Sequence, residues 1–136
     1  GGENEKITFT SLAQTSAGAW NFISFSASSI NSILAHVIVR YGGWYNVFQG
    51  GENAKSGAIK ADGVALALKN SLIENNLFAG LHLVNSTSTI ENTIFKDHTA
   101  KYGQLGLSDS AAIYLENSTT TLDNVTFINN SINIFP

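Results

Sequence analysis

The chain contains no cysteine and no methionine, and its single proline is the last residue. Without cysteine there can be no disulfide framework, no thiolate zinc site and no cysteine nucleophile. Charge is scarce too, with 12% of the 136 residues charged and a formal net charge of −3. That excludes the clustered lysine and arginine a nucleic-acid binder needs, and a polybasic membrane-surface module. No apolar run approaches the ~20 residues of a spanning helix, so no transmembrane segment is expected. The opening Gly1-Gly2, without an initiator methionine, leads us to expect a piece cut from a longer polypeptide or a processed product, with no signal peptide to read.

What the chain does have is asparagine, serine, threonine and β-branched residues, a strand-and-turn composition. The stretch Leu68-Lys69-Asn70-Ser71-Leu72-Ile73-Glu74-Asn75-Asn76 recurs at 34–42, 90–98 and 122–130. Its first column reads Leu34, Leu68, Ile90, Leu122; its third reads His36, Asn70, Asn92, Asn124; its sixth reads Val39, Ile73, Phe95, Phe127. An apolar pair precedes each later unit: Ile59 and Ala61, Leu81 and Leu83, Ile113 and Leu115. Ile132 and Ile134 form a similar pair at the end of the chain. Small residues lie just before the first three pairs, at Gly57-Ala58, Ala79-Gly80 and Ala111-Ala112. A third, outer strand is expected at 64–67, matched by 86–89 and 118–121. From Leu68 to Ile90 the step is 22 residues, against 34 and 32 for the flanking steps. The excess sits at 42–56 and 99–110. Insertions at one phase of a solenoid should emerge on one side.

The apolar positions alternate with period 2 rather than 3.6, which argues against a helical solenoid, and the units carry too few leucines for a leucine-rich repeat. The sequence resembles the right-handed parallel β-helix domains of bacterial and archaeal cell-surface proteins, within the pectate-lyase-like superfold. The resemblance is carried by Ile7-Thr8-Phe9-Thr10-Ser11, by residues 18–25, by residues 38–43, and by the recurrent Asn-Ser-x-Ile and Asn-Asn units. It implies an all-β solenoid of four to five coils with two loop insertions. The whole of 1–136 is read as a single domain: a leading strand and loop at 1–19, coils at about 20–56, 57–78, 79–110 and 111–130, and a partial last coil at 131–136. It also implies an extracellular or cell-surface location. Fold alone does not assign an activity.

In such a stack Asn70, Asn92 and Asn124 are expected to form an amide ladder at an interior corner, ending at His36. His36 reads as the cap of that ladder rather than as a metal ligand, since no second ligand sits at matching spacing. Thr87 and Thr89 should stack on Thr119 and Thr121, with Ala65 and Ala67 in the coil before. Such ranks can order water, but a solvated strand is the plainer reading. Glycosylation sequons start at Asn85, Asn117, Asn124 and Asn129. An inward Asn124 would exclude a glycan there.

Chemistry is expected on the outward face of the strands that follow the insertions. One column there reads Ser24, Lys60, His82, Tyr114, Asn133, and the next reads Ser26, Asp62, Val84, Glu116. The insertions add Trp44, Tyr45 and Phe48 on one side and Lys101 and Tyr102 on the other. The expected ligand site is Trp44, Tyr45, Lys60, His82, Tyr102 and Tyr114, a groove whose ring faces suit a polysaccharide or glycoprotein. The competing reading has these aromatics folded back as a satellite core. If the chain were an enzyme, Lys60, His82, Tyr114, Glu116 and Asp62 would be its catalytic groups, with Asp62 and Glu116 about 10 Å apart. Lyases and hydrolases of the superfold carry aspartate clusters. Here Asp97, Asp109 and Asp123 are scattered in phase. The reading is therefore a non-catalytic structural or adhesive module without cofactor or metal, with a polysaccharide-active enzyme fragment as the alternative. The incomplete last coil is expected either to continue or to support end-to-end association.

Overall fold

The structure is a computed structural model that describes residues 1–13, 15–43, 57–102 and 112–134. Its regular elements are all strands: β1 (Ile7–Phe9), β2 (Ile23–Phe25), β3 (Ser32–Ala35), β4 (Val37–Arg40), β5 (Gly57–Asp62), β6 (Ala65–Lys69), β7 (Leu72–Glu74), β8 (Ala79–Val84), β9 (Thr87–Glu91), β10 (Ile94–Lys96), β11 (Thr99–Tyr102), β12 (Ile113–Glu116), β13 (Thr119–Asp123), β14 (Thr126–Ile128) and β15 (Ser131–Ile134). Three parallel sheets stack them in register: β1-β4-β7-β10-β14, β2-β5-β8-β12 and β3-β6-β9-β13. A short fourth sheet pairs β11 with β15. Successive rungs place like residues over like, as with Leu34, Leu68, Ile90 and Leu122. The architecture is solenoid-like. Among the described residues no helix is long and apolar enough to cross a membrane.

The turns between sheets explain the recurrent asparagines. His36, Asn70, Asn92 and Asn124 all have positive φ, between 47° and 54°. So do Asn85 and Asn117 at the next corner, and Tyr41, Asn75, Asp97 and Asn129 at the third. Asparagine tolerates this left-handed conformation better than other residues bearing a Cβ. Each such turn aims its backbone N–H across to the following rung: Asn70 donates to the Glu91 carbonyl (3.0 Å), Asn92 to Asp123 (3.0 Å) and Asn85 to Glu116 (2.9 Å). The serine or threonine that follows turns its hydroxyl inward. Ser71 Oγ donates to the Lys69 carbonyl (2.6 Å) and accepts the Val37 N–H (3.2 Å). Ser86 does the same between Val84 and Val64. An Asn-Ser dipeptide is thus one complete corner, with the backbone groups of the turn satisfied by the adjoining rungs.

The expected interior amide ladder needs correction. Asn92 and Asn124 are exposed, and Asn70 and His36 half-buried. A residue in the left-handed turn directs its side chain outward at the corner, and the following hydroxyl takes the inside. The buried ladder lies in the ninth column of the repeat. Asn76 Oδ1 accepts the Gly42 N–H (2.8 Å), His98 Nδ1 accepts the Asn76 N–H (3.2 Å), and Asn130 Oδ1 accepts the His98 N–H (3.2 Å). Asn76 and Asn130 also donate to the Val39 and Phe95 carbonyls, both at 3.0 Å. The equivalent link from His98 would run to the Ile73 carbonyl, and its buried Nε2 makes no close hydrogen bond there. The imidazole also takes more room than an amide. A Cβ at Gly80 would fall 2.5 Å from Nε2 and 3.0 Å from Phe95. The small residue before the apolar pair is therefore required to be glycine at this one level.

The core runs along the stack axis. Val39, Ile73 and Phe95 line the first sheet, Ile59 and Leu81 the second, and Leu68 and Ile90 the third, all with 0% exposure. In the last rung the equivalent side chains are open: Leu115 is 43% exposed, Leu122 46% and Phe127 47%. The sequence placed Ile132 and Ile134 in the same phase as Leu81 and Leu83. Instead β15 pairs with β11, Tyr102 opposite Ile134, so that segment forms the fourth sheet, and among the described residues β12 is the outer strand of its own sheet.

Two outcomes follow for stability. Phe95→Ala should lower the unfolding free energy by about 3–5 kcal/mol and Phe127→Ala by roughly 1–2 kcal/mol, read by urea denaturation, because only the first leaves a closed cavity. Burial pushes the His98 imidazole from its ordinary 6.5 down to about 4. Between those values the unfolded chain binds a proton that the folded chain refuses. The stability present above pH 6.5 should therefore fall, by on the order of 3 kcal/mol, as pH drops to about 4. His98→Asn should flatten that slope and make Gly80→Ala tolerable, whereas Gly80→Ala alone destabilises the chain.

Candidate functional site

Strands β5, β8 and β12 follow one another across the second sheet with Lys60 opposite His82 and His82 opposite Tyr114. Ser24 precedes them in the column, opposite Lys60. The alternation that turns Ile59, Leu81 and Leu83 into the core turns Lys60, His82 and Tyr114 out of it. The neighbouring outward column reads Asp62, Val84, Glu116. Asn133 does not belong here: it pairs with Lys101 in the fourth sheet. Its strand, β15, begins directly after Asn130 and pairs with β11 rather than β12.

His82 is only 2% exposed although it stands on the outer face, so both faces of β8 are covered. Part of the cover is Tyr114, whose ring meets the imidazole edge-on at 5.0 Å between centroids and 72° between planes. Gly57 in the preceding rung makes room, since a Cβ there would lie 3.1 Å from the His82 Cβ. The periodic pattern pointed to a small residue at this place but not to the imidazole it accommodates. The face thus offers a half-buried aromatic edge, a lysine one rung along, and two carboxylates in the next column. Asp62 and Glu116 do not come together. Val84 stands between them, which sets the acids two strand spacings, about 10 Å, apart. Such a face can hold a ring against Tyr114 and hydrogen-bond its substituents. It does not present two acids across one bond.

Trp44 and Tyr45, like Phe48, lie outside the described residues, and so does the side chain of Tyr102, whose backbone forms the end of β11. Among the described residues no group of three or more histidine and acidic side chains gathers to hold a metal ion. His36 instead takes part in the outer corner column, its Nε2 lying 3.3 Å from Asn70 Nδ2. The threonine ranks stack in register, Thr87 on Thr119 and Thr89 on Thr121, with Ala65 and Ala67 in the rung before. The short alanines leave a shallow trough of about 270 Å³ between Ile33 and the threonines. All four sequon asparagines, Asn85, Asn117, Asn124 and Asn129, are exposed, so the expectation that Asn124 is turned inward is corrected.

Charges on the first and third sheets pair within their own sheet. Glu74 lies between Arg40 (3.9 Å) and Lys96 (3.1 Å), and Lys69 meets Glu91 at 3.0 Å. The hydrogen bond that Lys96 donates to the Glu74 carboxylate raises the Lys96 pKa above its usual value. Exposed pairs of this kind contribute little and mark a solvated edge. No protein-family model matches the chain, and no curated protein resembles it significantly in sequence.

The His82–Tyr114 contact should report on the integrity of this face. Tyr114→Phe keeps the edge-on ring and should leave stability within about 0.5 kcal/mol, while Tyr114→Ala should cost about 1–3 kcal/mol. In NMR spectra the His82 ring protons should shift strongly in the alanine variant and little in the phenylalanine one.

Proposed function

We propose that the chain is a non-catalytic module of a secreted or surface protein, a right-handed parallel β-helix of the pectate-lyase-like kind with a basic repeat of 22 residues. It acts as a rigid adhesive element that holds a glycan against the outer face of β5, β8 and β12. The observation that carries this reading is the Lys60–His82–Tyr114 column, which sets the Tyr114 ring and the Lys60 side chain on one face of the sheet, two rungs apart with His82 between them. Sugar rings stack on aromatic faces, and their hydroxyls take hydrogen bonds from lysine and carboxylates at the rim. A stack of parallel strands joined rung to rung keeps such a face in shape without a ligand. Preorganisation of that kind lowers the entropy cost of binding.

The enzymatic alternative rests on one feature, the separation of Asp62 and Glu116 by about two strand spacings, at the upper end of the inverting glycosidase range. Val84 in the space between them supports binding over hydrolysis.

A glycan-array screen followed by titration tests both readings. The expected result is saturable binding that weakens about tenfold or more in Tyr114→Ala and Lys60→Ala with no turnover of the bound glycan. Release of reducing or unsaturated ends that disappears in His82→Ala and Glu116→Ala would replace the adhesive reading with the enzymatic one.

A further inference from the structure

At the corner between the third and first sheets a polar cleft of about 500 Å³ is lined by Glu3, Lys6, His36, Asn70 and Asn92. That volume is within the usual range for small-molecule sites. The outward asparagine column runs through its wall, and the column is interrupted there. Asn70 Nδ2 is bonded to His36 Nε2 at 3.3 Å, and Asn124 Nδ2 donates to Asn92 Oδ1 at 2.8 Å. Asn70 and Asn92 are consecutive rungs of the same column, joined through the backbone where the Asn70 N–H meets the Glu91 carbonyl at 3.0 Å. Among the described residues, however, their side chains share no hydrogen bond. One amide acceptor, Asn70 Oδ1, and one amide donor, Asn92 Nδ2, are left on corner residues whose strands lie one spacing, ~4.8 Å, apart.

We propose that this break is a binding site for a neutral saccharide unit, distinct from the face of β5, β8 and β12. Each hydroxyl of a pyranose both donates and accepts, so two hydroxyls on adjacent ring carbons can bridge an amide acceptor and an amide donor that do not bridge each other. Water fills the gap in the free protein and is displaced by the diol. Lys6 and Glu3 bring opposite charges to the same cleft, so its rim favours neither sign of ligand, and a neutral ring can accept a hydrogen bond from Lys6 and donate one to Glu3. Both charged residues come from the segment before β1, outside the repeat, and they reach this corner because the Ile7 N–H bonds to the His36 carbonyl at 3.1 Å.

The test is a titration of the isotopically labelled chain with methyl glucopyranoside, methyl mannopyranoside and methyl galactopyranoside at up to tens of millimolar, followed through the side-chain amide signals. The expected result is a saturable shift of the Asn70 and Asn92 amides for at least one sugar, without movement of the Tyr114 ring signals. Asn92→Gly keeps the left-handed backbone, since glycine adopts positive φ freely, and should weaken binding about tenfold. Asn117→Gly, at a left-handed corner away from the cleft, should leave it unchanged. Absence of saturable shifts with all three sugars, tighter binding of methyl glucuronide than of the neutral sugars, or an Asn92 side-chain amide already protected from exchange in the free chain would each overturn the proposal. Because the signals of Asn92 and Tyr114 are read separately, failure here leaves the reading of the β8 face standing, and the converse also holds.

Discussion

The structure depends on one interaction repeated from rung to rung: a corner residue in the left-handed conformation gives its backbone N–H to the carbonyl of the next rung, and the hydroxyl behind it ties the turn to the rung before. Strands of three to six residues have too few ladder bonds to hold a sheet on their own. Corners that bond across rungs convert short strands into a continuous stack. The apolar columns then bury themselves, because side chains in register at one strand spacing leave little room for water. The same demand accounts for the abundance of asparagine, which carries the positive φ at modest cost and leaves the interior to serine, threonine and the aliphatics.

The exceptions to the repeat show how tightly the columns are coupled. His98 stands in a buried column otherwise occupied by Asn76 and Asn130, and its ring uses one nitrogen as they use their amide oxygen. The other nitrogen makes no close hydrogen bond, and the space it needs is taken from Gly80. A departure at one column is thus answered by a departure at another, 18 positions earlier in the chain. On the outside of the second sheet, Gly57 and His82 show a second instance of the same trade in volume. Among the described residues the last rung has no such partner above it, and its core side chains remain open.

Much of this was legible in the chain itself. The alternation of Ile59, Ala61, Leu81 and Leu83, and the stacking of Leu68 on Ile90, follow from period-2 patterning, which is a local property of a strand. The Lys60–His82–Tyr114 alignment follows from the same phase. The direction taken by Asn70, Asn92 and Asn124 was not legible, because an amide suits an interior ladder and an exposed turn equally well by composition. Nor was the role of His98, since it appeared as the end of a unit rather than as a member of a column with Asn76 and Asn130. The pairing of β15 with β11 was hidden for a related reason: Ile132 and Ile134 have the spacing of the other apolar pairs, and spacing does not say which edge is free to receive them.

By itself, then, the amino-acid order determined which residues share a column and where the chain must turn, because alternation and tolerance of positive φ are decided within a few residues. Only the tertiary structure decided which columns are buried, which side of a corner a side chain occupies, and that Glu3 and Lys6 meet the gap between Asn70 and Asn92. Those outcomes turn on contacts between segments 22 to 34 residues apart and on segments outside the repeat. No local preference encodes what will lie against such a residue, and burial, partner and cleft are properties of that neighbour as much as of the residue itself.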